Sequence, residues 1–171
     1  MKYVALLRGI GPSNPNMHGA KLKEAAEAAG FKNVQTLLSS GNVIFESDLD
    51  DQAAIETKLE KTWPAKLGFN SMTIVRSQAQ LQALVDAEPY KGAEHSRSSY
   101  LLVTFFKTPP KPLPAKNYYD ALGVNALCSN LGDTEDLRTP DFMAKADRQF
   151  GKDQITSRTW LTIQRVLAKM K

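Results

Sequence analysis

The chain has one cysteine, Cys128, so no disulfide can form within it. Its two histidines, His18 and His95, are far apart and neither has a cysteine neighbour. Metal sites need clustered ligands, so no metal is expected. Asp48, Asp50 and Asp51 lack the spacing and the position-six glycine of a calcium loop. No apolar run approaches the roughly 20 residues that span a bilayer, which argues against a membrane partner. Met1 to Arg8 has neither the apolar stretch nor the small-residue cleavage site of a secretion signal. These absences together predict a cytoplasmic protein. The Gly-x-x-x-x-Gly-Lys-Ser/Thr, Gly-x-Ser-x-Gly and Ser-x-x-Lys patterns are also missing. Gly9-x-Gly11 is half of a dinucleotide fingerprint, so no cofactor is expected. No internal repeat or low-complexity tract is visible.

What is present belongs to a globular chain. The 171 residues are 42% apolar and 23% charged, with a net charge of +4. The basic residues are scattered, whereas nucleic-acid binders usually gather them on one face. The stretch Gln35 to Glu46 organises the pattern, with apolar runs flanking Ser40-Gly41-Asn42. Glycine takes positive φ without steric cost and asparagine tolerates it, so this reads as a tight hairpin spanning Asn33–Ser39 and Asn42–Glu46.

Lys2 to Leu7 reads as a first strand, apolar on both faces and therefore covered on both. Leu22, Ala25, Ala26 and Ala29 lie on one face of a helix that stops at Gly30. After the hairpin, one of Asp48, Asp50 or Asp51 caps a second helix, which Trp63-Pro64 ends or bends. Asn70 to Arg76 forms a fourth strand. The order strand, helix, strand, strand, helix, strand is the split βαβ pattern. Ser77 and Gln80 form a capping box for a third helix that leads into a second half. There, Ser99 to Phe106 is a buried central strand, and Lys107 to Pro114 holds four prolines and connects at the surface. A short helix at Tyr118–Leu122, a strand at Val124–Asn130, a turn at Gly132-Asp133 and a short strand near Leu137 follow. A helix at Asp141–Phe150 comes next, and Ser157 caps the last helix, with Trp160 on its inner face. The class is α+β: two ferredoxin-like halves, 1–76 and 77–171, the second less regular.

In such a sheet the first strand runs antiparallel beside the third. Arg8 then emerges next to Ser39, Ser40 and Asn42, at the edge onto which the Gly9 to Met17 loop opens. A guanidinium, hydroxyls and backbone N–H groups there suit an anion.

Leu7-Arg8-Gly9-Ile10, Gly30-Phe31-x-Asn33-Val34, Ser40-Gly41-Asn42-Val43-Ile44-Phe45 and Thr156-x-Arg158-x-Trp160-x-Thr162 together resemble the bacterial family catalogued as domain of unknown function 1697. The resemblance implies two ferredoxin-like halves and no assigned activity. The family's Asn-Val-Gly-Gly after Arg-Gly-Ile is here Gly11-Pro12-Ser13-Asn14, running on to Pro15-Asn16. Its Arg-Asn-Trp-Asn-Thr is here Arg158-Thr159-Trp160-Leu161-Thr162. The motifs at both ends suggest a ligand site of Arg8, Ser40, Gly41, Asn42, Arg158 and Trp160. On this reading the chain binds a small anionic molecule in a cleft between its halves. The competing readings are a nucleic-acid module, with Tyr3 and Phe45 as base-stacking aromatics on an open sheet face, and a partner-binding scaffold without chemistry.

Overall fold

The computed structural model describes residues 1–9, 18–38, 41–96, 98–132 and 139–171. It has two compact units, Met1–Gln78 with Lys169–Lys171, and Ala79–Ala168. Each holds a four-stranded antiparallel sheet, and the class is α+β.

The first unit runs β1 (Lys2–Leu7), α1 (Gly19–Ala28), β2 (Lys32–Leu37), β3 (Asn42–Glu46), α2 (Gln52–Leu67) and β4 (Thr73–Ser77). Its strand order is β2-β3-β1-β4, with β1 and β3 central. Tyr3, Ala5, Leu7, Phe45 and Val75 on one sheet face share a core with Leu22, Ala26, Ile55, Leu59 and Trp63 of the helices. Val4, Leu6, Ile44 and Ile74 on the other face are buried too, as the doubly apolar pattern of β1 requires. Each large apolar side chain buried this way stabilises the fold by about 1.5–3 kcal/mol.

Asp51 caps α2, its carboxylate accepting from the N–H groups of Ala53 and Ala54 at 2.9 and 3.2 Å. Pro64 does not end the helix, which continues to Leu67 and stops at Gly68, left-handed at φ 77°. Trp63 and Leu67 are buried, and the Trp63 indole N–H donates to Thr73 Oγ1 at 2.9 Å. That burial offsets the roughly 3 kcal/mol that an interior proline costs. Gly19 marks a close approach of α1 to β2. A Cβ there would lie 2.4 Å from Thr36 Oγ1. β2 carries a bulge between Lys32 and Gln35, where Asn33 has φ 51°.

The second unit contains α3 (Gln78–Asp86) from its second residue on, then β5 (Leu101–Phe106), β6 (Tyr118–Tyr119), β7 (Ala126–Asn130), α4 (Thr139–Phe150), β8 (Ile155–Thr159) and α5 (Trp160–Met170) up to Ala168. Its strand order, β6-β7-β5-β8, repeats that of the first sheet, with β5 in the place of β1. The proline-rich connection stands where the first unit has α1. Phe106, Ala146 and Ile155 form a core cluster with Tyr118, Phe142 and Phe150 against it.

Two expectations are corrected here. Tyr118–Leu122 is not a helix. Tyr118 and Tyr119 pair with Leu127 and Ala126 as β6, and a single 3-10 turn follows at Ala121–Gly123. Tyr118 packs edge-on against Phe106 and donates its hydroxyl to Asn125 Oδ1, which an aromatic on a strand does well. Ser157 does not cap the last helix either. It lies inside β8, opposite Thr104 of β5, with 2.7 Å between the two hydroxyl oxygens. Thr159 caps α5, its Oγ1 accepting from Thr162 N–H at 3.3 Å. The Gly132-Asp133 turn beyond Gly132 and the strand near Leu137 lie outside the described residues.

β4 is an outer strand, so every second N–H and C=O along it points away from the sheet. Glu56 and Glu60, one turn apart on α2, accept the outward N–H groups of Val75 and Thr73 at 2.8 and 2.9 Å. Arg76 Nη1 curls back to donate to the Val75 carbonyl at 2.7 Å and lies 4.0 Å from Glu56 Oε1. Both backbone polar groups of Val75 are thus satisfied by two buried, oppositely charged side chains. Glu56→Ala strips a buried guanidinium of its counter-charge, and the expected loss in urea unfolding is about 3–5 kcal/mol. Glu56→Gln keeps an oxygen for Val75 N–H and is expected to cost less. Equal losses would show that charge alone matters there.

Candidate functional site

Three hydrogen bonds place Arg8. Register pairs Leu6 with Asn42, and Leu7 N–H donates to the Gly41 carbonyl at 2.9 Å. Arg8 N–H then donates to the Met72 carbonyl at 2.9 Å, while the Arg8 carbonyl accepts from Ser71 Oγ at 2.7 Å. The backbone of Arg8 is therefore pinned between the hairpin turn and the chain entering β4, and its side chain is half-buried. Gly41 and the following Gly9 have φ of 71° and 74°, conformations that glycine adopts freely. Nothing lies within 4 Å of where a Gly9 Cβ would be.

Asn42 is buried, and its amide donates to the Leu37 carbonyl at 3.0 Å. That bond closes the hairpin across Leu38, itself at φ 60°. Ser40 and the loop Gly11 to Asn16 lie outside the described residues. The structure thus brings Arg8, Gly41 and Asn42 together at one end of the first sheet.

Arg158 and Trp160 belong to the second unit. Arg158 is buried on β8, an outer strand. Its Nη1 donates to the Ser157 carbonyl at 2.8 Å and to Thr156 Oγ1 at 2.9 Å. Burial lowers its pKa to about 10, because desolvation disfavours the charged form. Arg158 repeats Arg76: each is the fourth residue of a five-residue outer strand, and each bonds the carbonyl before it. Arg76 pairs with Val4, the third residue of β1, and Arg158 with Val103, the third of β5. Five and eight residues on from each arginine come buried apolar residues, Leu81 and Leu84 in α3, Ile163 and Val166 in α5. The pattern Arg-Ser/Thr-x-x-x-Leu/Ile stands in the sequence at both arginines but also at Arg97 to Leu102, so it does not read as a repeat without the topology.

Trp160 is 6% exposed and packs edge-on against Tyr90, with ring centres 5.1 Å apart. It borders a concavity of about 450 Å3 that Glu88, Tyr90, Glu94, His95 and Leu161 also line. A second concavity, about 460 Å3, lies in the first unit and holds Lys2, Lys23 and Lys169 with Glu27 and Glu46 in its wall. Those lysines are scattered through the sequence, and only the fold collects them. Lys2 Nζ donates to the Met170 carbonyl at 2.9 Å, Lys169 Nζ to that of Thr36 at 3.3 Å, and Lys23 lies 3.8 Å from Glu27.

Tyr3 and Phe45 stack 6.0 Å apart inside the helix-covered core. They offer no platform for a base. Among the described residues no three of His, Cys, Asp and Glu come together as metal ligands, and no helix is long and apolar enough to cross a membrane.

Residues 1–121 match the family described as protein of unknown function, DUF1697. No curated protein matches. Among solved structures, the conserved bacterial protein SP0830 from Streptococcus pneumoniae is similar, with a TM-score of 0.73 and 19% identity over 99% of this chain and 97% of that one. At that identity the likeness is one of fold.

Cys128 is buried, and burial raises its pKa to about 12. A protonated, enclosed thiol is a poor nucleophile. An unfolded thiol ionises near 8.5. Between those values the unfolded chain releases a proton that the folded one keeps, so this residue's contribution to stability falls as pH rises. Thiol labelling with a disulfide reagent at about pH 9 is therefore expected to be far slower in the native protein than in urea. Cys128→Ala is expected to flatten the alkaline decline in stability.

Proposed function

The chain belongs to the DUF1697 family, and we propose that it binds a small anionic molecule through Arg8, at the end of the first sheet beside Gly41 and Asn42. The observation behind this reading is the pinned backbone. An arginine just past the end of a central strand, its own N–H and carbonyl bonded to Met72 and Ser71 and the preceding N–H bonded to Gly41, is a pre-organised support for a guanidinium, which recognises phosphate and carboxylate through paired N–H donors. Arg158 and Asn42 contribute differently. Each is engaged with backbone of its own unit, so each supports the scaffold rather than the ligand.

A second location for the same ligand chemistry draws on the lysine-lined concavity. Three ammonium groups against two carboxylates leave it net positive. Lysines are less directional than a guanidinium, so this site would select charge rather than shape.

Thermal-shift measurements with inorganic phosphate, nucleotides and carboxylates separate these readings. A ligand at about 100 times its Kd stabilises by about 2.7 kcal/mol, a readily measured rise in Tm. Arg8→Ala is expected to abolish the response of one anion class and Arg8→Lys to weaken it. Arg158→Ala is expected to lower Tm while sparing the ligand-induced rise. A full response in Arg8→Ala together with its loss in Lys2→Ala/Lys23→Ala would move the site to the concavity. No response to any anion would overturn the proposal.

A further inference from the structure

The concavity bordered by Trp160 has a tightly turned frame. Its frame is the connection after α3. Glu88, Lys91 and Gly92 all have left-handed φ, at 47°, 51° and 80°, and two of these three are not glycine. Such residues persist where the surroundings over-determine the backbone, and they gather at ligand clamps. Three turns hold this connection in shape. Glu88 N–H donates to the Val85 carbonyl at 3.1 Å, Lys91 N–H to that of Glu88 at 2.9 Å, and Ala93 N–H to that of Tyr90 at 3.0 Å.

The side chains are fixed as well. The Tyr90 hydroxyl donates to the Leu102 carbonyl of β5, and its ring meets Trp160 edge-on. His95 Nδ1 accepts from Leu101 N–H at 3.1 Å, so Nε2 bears the proton of the neutral ring. His95 also packs against Tyr100, centre to centre at 4.8 Å. The wall is thus a rigid apolar and aromatic surface. Its carboxylates, Glu88 and Glu94, are exposed, and among the described residues that line the space there is neither lysine nor arginine, the exposed Lys91 lying between two of them.

From this geometry we infer that the second unit carries a site for a small organic cation, an amine on an apolar or aromatic body. The body lies against Trp160, Pro89 and Leu161, and the ammonium faces Glu88 and Glu94. Charge complementarity selects the class: two carboxylates, with neither lysine nor arginine among the described lining residues, repel anions and attract ammonium groups. A pre-formed concave wall of aromatic and apolar groups with a few polar ones is the usual make-up of a small-molecule site. The ligand has the opposite sign to the one proposed at Arg8, and the residues belong to the other unit, so the two proposals stand or fall separately.

The test uses the full chain and three probes of similar shape: benzylamine, benzyl alcohol and benzoate. Titration calorimetry at low salt is expected to show benzylamine binding more tightly than benzyl alcohol, and benzoate not at all. Glu88→Gln/Glu94→Gln is expected to weaken benzylamine about tenfold or more and to leave benzyl alcohol unchanged. Both positions are exposed, and retained Tm confirms the fold of the variant. Should it fail to fold, the order of the three probes on the wild-type chain still decides. Absence of benzylamine binding at millimolar concentration, benzoate binding as tightly, or an unchanged benzylamine affinity in the double variant would each overturn the inference.

Discussion

The outward-facing peptide groups of an outer strand need partners, and this chain meets that constraint with charged side chains. At β4, Glu56 and Glu60 accept the N–H groups of Val75 and Thr73, and Arg76 donates to the Val75 carbonyl. At β8, Arg158 donates to the Ser157 carbonyl. Unpaired, such buried groups would each cost on the order of 1–3 kcal/mol. The requirement accounts for an arginine at the fourth position of both strands; in both cases a helix follows at once, at Gln78 and at Trp160. It also fixes the spacing of two glutamates on α2. They sit one turn apart because the outward N–H groups of a strand recur every second residue, about 6.6 Å, close to the pitch of a helix.

This constraint changes how the arginines are read as candidates. Arg8, Arg76 and Arg158 all lie at or near strand ends. Arg76 and Arg158 are buried and bonded to the strand that carries them, whereas Arg8 follows a central strand whose edges both neighbours already occupy. Its backbone continues the ladder past the end of β1. The distinction rests on topology rather than on residue type.

Much of this was legible in the sequence. The doubly apolar run of β1, the turn at Gly41, the cap among the aspartates and the proline-rich break all act locally, and local chemistry can be read from neighbours. From these the first unit's strand order followed, and with it the position of Arg8 beside Gly41. What escaped was structure stabilised by distant partners. β8 reads Ile-Thr-Ser-Arg-Thr, with one aliphatic residue in five. Its burial rests on hydroxyl and guanidinium bonds to β5 and to itself, which hydrophobic periodicity does not register. The lysines of the first-unit concavity lie at positions 2, 23 and 169 and have no sequence proximity at all. Tyr118 and Tyr119 failed for a third reason: two residues are too few to show any period.

The brevity of β6 has a consequence of its own. It is the outermost strand on its side of the second sheet, and it is preceded by a segment in which four prolines supply no N–H. A foreign strand that sought to extend the sheet there would find two residues to grip and then a run unable to continue the ladder. In the first sheet the outer strand that corresponds to β6 is β2, and a bulge interrupts it. Each sheet therefore presents a poor template for intermolecular growth along that one edge, a form of resistance to aggregation that owes nothing to surface charge.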